Sequence, residues 1–223
     1  FSCRKDAGYP CTNEIAVDEI EIPGHDGVMI PISVIHRKDV KLNGQNPAYV
    51  YSYGAYGYSS GAFFSPTFLL LAQKGIVLTV AHVRGGGEKG ESWHLSGYKQ
   101  SKPNTWKDLN STAQYLIDKG YTGTKYLSCE GGSAGGILIG RAITEQPDLW
   151  ACAVPQVGCL SMVRQEFAPN GPINTPEFGT VKNINEFFAL MEMDATLHVT
   201  DQTNYPAMLI TTGWNDPRVI SWQ

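Results

Sequence analysis

Tyr126-Leu127-Ser128-Cys129-Glu130-Gly131-Gly132-Ser133-Ala134-Gly135-Gly136 decides the fold. Residues 126–129 read as a short buried strand. Ile137-Leu138-Ile139-Gly140-Arg141-Ala142-Ile143 reads as a helix packed on a sheet. Between them, Gly131-Gly132-Ser133-Ala134-Gly135 fits G-x-S-x-G. A strand that turns sharply into a helix holds the serine in a strained backbone region, where neighbouring Cβ atoms would collide. Glycine removes them. The turn lifts the Ser133 hydroxyl above the sheet, and the following amide, from Ala134, points at the place where an oxyanion would develop. The helix starting near Gly135 adds the positive end of its dipole. The pattern alone recurs by chance in glycine-rich turns; strand before and helix after supply the context it requires.

Outward from this corner the chain alternates strand and helix. Toward the C-terminus, Pro147 lies beyond the helix end and residues 150–154 form another buried strand. Residues 160–167 read as a short helix, 168–185 as a long surface excursion rich in Pro, Gly and Asn, and Phe187, Phe188, Leu190 and Met191 as a short helix. Residues 206–213 form a final strand, followed by Trp214-Asn215-Asp216-Pro217-Arg218-Val219. Toward the N-terminus, Asn104 caps a helix running through Lys119, with Leu109, Ala113, Leu116 and Ile117 inward and Gly120 at its end. Residues 76–83 are nearly all apolar, as in a strand covered on both faces. Ser65 and Pro66 open a further helix that Gly75 closes, and residues 48–53 form the strand before it. Residues 16–22 and 28–35 alternate around Pro23-Gly24-His25-Asp26-Gly27, the pattern of a β-hairpin. The fold class is therefore α/β, a mostly parallel doubly wound sheet with an N-terminal β-hairpin.

Composition narrows the function classes. Hydrophobic content of 42% and charged content of 17% are globular values, and 223 residues suffice for one α/β domain. A net charge of −4 gives no basic footprint for nucleic acid. No apolar run approaches the roughly 20 residues of a membrane span, so a soluble chain is expected, cytoplasmic, periplasmic or secreted. Five cysteines form no small-domain disulfide framework. Cys129 and Cys152 read as buried strand thiols, and Cys3 and Cys11 could pair, though nothing in the sequence requires it. No C-x-x-C or H-E-x-x-H occurs, so no metal site is expected.

Four motifs in order carry a resemblance to the catalytic α/β-hydrolase domain of the prolyl oligopeptidase family of serine peptidases. Tyr53-Gly54-Ala55-Tyr56 resembles the family's Tyr-Gly-Gly-Phe, and Arg84-Gly85-Gly86-Gly87-Glu88 its Arg-Gly-Gly-Gly-Glu run. Gly131-Gly132-Ser133-Ala134-Gly135-Gly136 resembles Gly-Gly-Ser-Asn-Gly-Gly, and Asn215-Asp216-Pro217-Arg218-Val219 resembles Asp-Asp-Arg-Val. The resemblance implies Ser133 as nucleophile and Asp216 as the acid that orients the base. It implies an oxyanion hole from the Tyr53 hydroxyl and the Ala134 amide, Arg218 on a substrate carbonyl, and Tyr56 and Val219 lining the pocket. It implies short peptides as substrates and no cofactor.

The chain departs from the family pattern in three ways. The family's histidine follows the acid in the chain, and none of the seven residues after Asp216 is His. The family's N-terminal β-propeller is not in this sequence. Where prolyl-specific members stack a tryptophan, the sequence holds Asn174. Basic-specific relatives use acidic residues in this region, which makes Glu177 a candidate substrate-binding acid against the plainer reading of a solvated loop acid. Residues 1–223 are thus expected to be one catalytic domain, incomplete at both ends and inactive alone. An esterase on the same fold and a non-catalytic binding domain remain the alternatives. Arg84 and Glu88 are expected to brace the loop as a pair. His25 and His36 are expected on the surface, and His82 and His94 are the only candidates for a substitute base.

Overall fold

A computed structural model describes residues 9, 12–61 and 63–223. Strands β1 (Ile15–Pro23) and β2 (Met29–Arg37) form the expected antiparallel hairpin, with Ile22 opposite Ile30 and Ile20 opposite Ile32. Period-2 alternation turns Ile30, Ile32 and Val34 into the core. The sheet continues through β3 (Ala48–Tyr51), β4 (Val77–Ala81), β5 (Leu127–Gly132), β6 (Cys152–Gln156) and β7 (Ala207–Met208), in the order β1-β2-β4-β3-β5-β6-β7. β2 and β4 pair antiparallel; every neighbouring pair from β4 to β7 is parallel. β4 is buried at all its positions, as its nearly all-apolar run leads one to expect, with Thr79 the one polar residue in it.

Order sets the site. From β3 the chain crosses outward to β4, then returns to the other flank of β3 to form β5. The crevice beyond the carboxyl ends of β3 and β5 is therefore a topological switch point, where open α/β sheets bind ligands. Tyr53 follows β3 there, and Ser133 follows β5.

The helices are α1 (Pro66–Gln73), α2 (Glu91–Leu95), α3 (Pro103–Asp118), α4 (Gly135–Glu145), α5 (Thr175–Phe178) and α6 (Ile184–Met193). The Ser65 hydroxyl caps α1 by accepting from the Phe68 amide. α3 turns Leu109, Ala113 and Leu116 into the core, where Ile137, Leu138 and Ala142 of α4 are also fully buried. Each large side chain buried so completely contributes about 1.5–3 kcal/mol.

Several expectations need correction. α3 starts at Pro103, one residue before the expected cap, and the Asn104 carboxamide donates to the Ser96 carbonyl instead of capping. The strand expected over 206–213 pairs only at Ala207–Met208 and again at Thr211 with Gln156. It lies at the sheet edge with Met208, Leu209 and Ile210 exposed, so one side and little burial hold it. The excursion at 168–185 is no simple surface loop: α5 buries Phe178 and Glu177, and the Tyr98 hydroxyl donates to the Pro176 carbonyl. His36 is buried, its Nε2 2.9 Å from Asp18. Cys152 is half-buried while Cys129 and Cys159 are buried; all three are free. The Cys3–Cys11 pairing lies outside the described residues. Among the described residues no helix is long and apolar enough to cross a membrane.

Arg84 and Glu88 brace the loop after β4 with separate partners. The buried Arg84 guanidinium makes two bonds to Asp108, at 2.6 and 2.9 Å, and reaches Asp26 in the hairpin turn at 2.6 Å. Glu88 accepts from the Ser60 amide and faces His82.

Candidate active site

Ser133 has φ 54°, in the left-handed region, between the last residue of β5 and the first turn of α4. Such a conformation persists in a non-glycine residue only where its surroundings fix it. Its amide donates to the Gln156 carbonyl at 2.9 Å, and its carbonyl accepts from Gly136 at 2.9 Å and Cys159 at 3.0 Å. The glycines have specific reasons. A Cβ on Gly131 would lie 2.7 Å from the Gly135 carbonyl oxygen, and one on Gly136 would lie 2.4 Å from Gly158 Cα. Backbone approaches backbone at this corner, as the sequence motif requires.

The Ala134 amide has no acceptor among the described residues and stands at the N-cap of α4. An unspent amide at a helix N-terminus is a ready donor to a developing negative oxygen. Tyr53 is half-buried, and burial pushes its phenol above the ordinary value, so it remains a hydroxyl donor through neutral pH.

Ser133, Tyr53, Tyr56, Arg218 and Val219 line one cavity of about 440 Å³, and Cys159, Gln165, Asn170, Ile173 and Asn174 complete its wall. The structure thus gathers most of the expected residues from segments far apart in sequence. Arg218 is exposed at the rim while Val219 is buried. Asp216 is a neighbour of this wall: its charge helps burial push the Cys159 thiol up to about 12. One Asp216 oxygen accepts from the Val219 and Arg218 amides at 2.9 and 2.8 Å, which holds its carboxyl below the usual carboxylate range. It is therefore an anion on a structured turn.

Glu177 is placed differently from a solvated loop acid. It is 6% exposed. One carboxylate oxygen accepts from the Tyr56 amide at 2.7 Å, and the other is 2.9 Å from His94 Nε2. Tyr56 itself has φ 59°, so Glu177 anchors a strained residue of the cavity wall from behind. Its ring packs edge-on against Phe178, 5.3 Å between centroids, and its hydroxyl donates to Asn174 Oδ1 at 2.8 Å.

None of the five histidines lines the cavity. His82 lies between Ser33 and Glu88, His94 between Glu177 and Glu91, His36 against Asp18, His198 on the Asp194 carbonyl, and His25 beside Arg84. Among the described residues no cluster of His, Cys, Asp and Glu could hold a metal ion. Sequence reasoning missed Cys159, Gln165, Asn170 and Ile173. Only Cys159 carried a positional signal, since it follows β6 at the same end of the sheet as Ser133.

The model of the prolyl oligopeptidase family, a peptidase family, matches residues 62–223. The chain belongs to the prolyl oligopeptidase family. Among its relatives, a prolyl endopeptidase of Elizabethkingia miricola is 35% identical over 87% of this chain and 28% of its own length. Protease 2 of Moraxella lacunata is 35% identical over 91% of this chain and 30% of its own. A post-proline cleaving enzyme from Rickettsia typhi superposes with a TM-score of 0.94 at 28% identity, over 98% of this chain and 32% of that structure. A prolyl endopeptidase structure superposes with a TM-score of 0.93 at 35% identity, over 96% and 32% of the two chains. The sheet described above is thus the α/β-hydrolase domain of this family. The chain spans about 26–30% of the length of the curated relatives it matches.

Proposed function

We propose that this chain carries the nucleophile and oxyanion hole of a serine peptidase that cleaves oligopeptides by acyl transfer. The observation that carries the reading is Ser133, held at φ 54° on the corner between β5 and α4, with the unspent Ala134 amide beside it and Tyr53 across one cavity. Family membership supports the same reaction class. A prolyl oligopeptidase B from Galerina marginata, a structural neighbour, has been seen bound to a 35mer peptide substrate.

In this mechanism the Ser133 hydroxyl attacks the scissile carbonyl. The Ala134 amide and the Tyr53 hydroxyl receive the charge that forms on the carbonyl oxygen. Arg218, at the rim, holds a second substrate carbonyl, and Tyr56 and Val219 face the substrate side chain. Attack needs a base, because a serine hydroxyl near neutral pH is a poor nucleophile. As the C–N bond breaks, the base passes the proton taken from Ser133 to the departing amine, and water then releases the acyl group from Ser133. Asp216 is the orienting carboxylate, and the base it orients is a histidine other than the five in residues 1–223.

The test is fluorophosphonate labelling followed by mass spectrometry of the Ser133 peptide. The full-length protein should label at Ser133 and lose its peptidase activity with the same time course. Residues 1–223 alone should label slowly or not at all. Rapid labelling of the short chain, or activity that survives Ser133→Ala in the full-length protein, would overturn the reading. Peptide amides assayed beside short acyl esters separate peptidase from esterase.

A further inference from the structure

Gln165 lies in a 3₁₀ turn, Met162–Phe167, on the cavity wall. The residue is 6% exposed. It lines the cavity, and its carboxamide has no hydrogen-bond partner among the described residues. Buried polar groups are normally paired, so a buried carboxamide left open to a cavity marks a position that a ligand or water completes.

Of the other polar groups of this wall, the Ser133 and Tyr53 hydroxyls and the Arg218 guanidinium have the roles proposed above, the Asn170 carboxamide is open beside Gln165, and Tyr56 and Asn174 are paired. The Tyr56 hydroxyl donates to Asn174 Oδ1 at 2.8 Å, and Asn174 Nδ2 donates to the Asn170 carbonyl at 3.1 Å. Glu177, the nearest carboxylate behind the wall, is consumed by the Tyr56 amide and His94. A basic side chain in this cavity would meet the Arg218 guanidinium, and the carboxylates near the wall, Glu177 and Asp216, already accept bonds from the protein. An apolar side chain would strip water from Gln165 and leave its donor and acceptor unpaired. A carboxylate would satisfy the donor but press against the Gln165 carbonyl. A carboxamide satisfies both, through two reciprocal N–H to O bonds.

We propose that Gln165 is the specificity-determining residue of the Ser133 cavity, and that it selects peptides presenting a glutamine or asparagine side chain there. This rests on the cavity being the peptide site proposed above. A site built around a buried polar group discriminates against an isosteric apolar side chain by leaving that group unpaired.

The experiment uses the full-length protein and peptides that differ only in one side chain, Gln, Glu, Met or Lys. The variable residue is placed in turn at each of the two positions on the acyl side of the scissile bond. At one of them kcat/KM should favour Gln over Met by about 10- to 100-fold. Gln165→Met, close in volume, should bring that ratio near unity, and Gln165→Glu should move the preference to Lys. Should Gln165→Met fail to fold, the Gln165→Glu arm decides. Equal or better cleavage of Met peptides by the native protein, or a Gln preference that survives substitution of Gln165, would overturn the inference. Calorimetric binding of the same peptides to Ser133→Ala keeps the two readings apart. Selective Gln binding without cleavage by the native protein would sink the Ser133 peptidase reading alone. Cleavage without Gln preference would sink the Gln165 inference alone.

Discussion

Glu177 offers the sharpest test of how the cavity wall is built. A solvated or substrate-facing acid could be replaced by glutamine with no effect on stability. The structure instead gives its two oxygens to the Tyr56 amide at 2.7 Å and to His94 Nε2 at 2.9 Å. Because a carboxylate only accepts, His94 must carry its proton on Nε2. A bond to a charged group is worth about 1.5–3 kcal/mol, so Glu177→Ala should remove about 3–6 kcal/mol. That is a large share of the roughly 5–15 kcal/mol that holds a typical domain. Glu177→Gln keeps the Tyr56 bond in neutral form. Its amide nitrogen would face the His94 proton unless the ring changes tautomer and turns its Nδ1 hydrogen toward Glu91, 3.4 Å away. The expected cost is about 2 kcal/mol, as a charge-assisted bond becomes a neutral one. Urea unfolding at pH 7, followed by circular dichroism, measures both variants. In the full-length protein Glu177→Gln should also raise KM for peptides of all side-chain types, because Tyr56 loosens. A Glu177→Gln protein as stable as the native one, with a loss confined to lysine and arginine peptides, would refute the brace and restore Glu177 as a substrate-facing acid.

Three further outcomes are expected. Lys102 is 1% exposed, its ammonium bonded to the Gly54 carbonyl, and burial pushes its pKa down to about 8 from 10.5. Between those values the unfolded chain binds more protons than the folded one, so stability should rise with pH from about 8 to about 10.5, by about 3 kcal/mol; Lys102→Met, unfolded in parallel, should lack that rise. Asp108→Ala strands the buried Arg84 guanidinium with only the half-exposed Asp26, and should lower unfolding stability by about 3 kcal/mol; a loss below about 0.5 kcal/mol would mean that the pair is incidental. Tyr53→Phe in the full-length protein should lower kcat by about 10²–10³ with KM little changed, and unchanged turnover would remove Tyr53 from the oxyanion hole.

What could be read from the sequence was local. The corner at Ser133 needs a strand, clustered glycines and a helix within 20 residues, and each leaves its own pattern. The hairpin, the nearly all-apolar β4 and the Ser65 cap were legible for the same reason. The elements that were misread depend on distant partners. Arg84 selects Asp108 and Asp26 over nearby Glu88, because the fold brings α3 and the hairpin turn to its guanidinium. His36 is buried because β1 lays Asp18 beside it. Gln165 and Glu177 look like ordinary polar residues of a loop-rich segment until that segment folds over the switch point. The strand at 206–213 was drawn too long because apolar residues at a sheet edge look the same in sequence as those in a sheet centre.

The Tyr56–Glu177 and Tyr56–Asn174 bonds join residues 121 and 118 positions apart. Ser133 sits in a corner closed by residues no more than about 26 positions on, whereas its cavity wall waits for the far end of a much longer loop. Closing such loops is entropically costly and slow compared with local turns. A ribosome adding roughly 5–20 residues per second needs on the order of ten seconds to go from Tyr56 to Glu177. During synthesis the Ser133 corner can therefore form before the Tyr56–Glu177 wall closes, and a serine hydroxyl with no base beside it is a poor nucleophile in that interval.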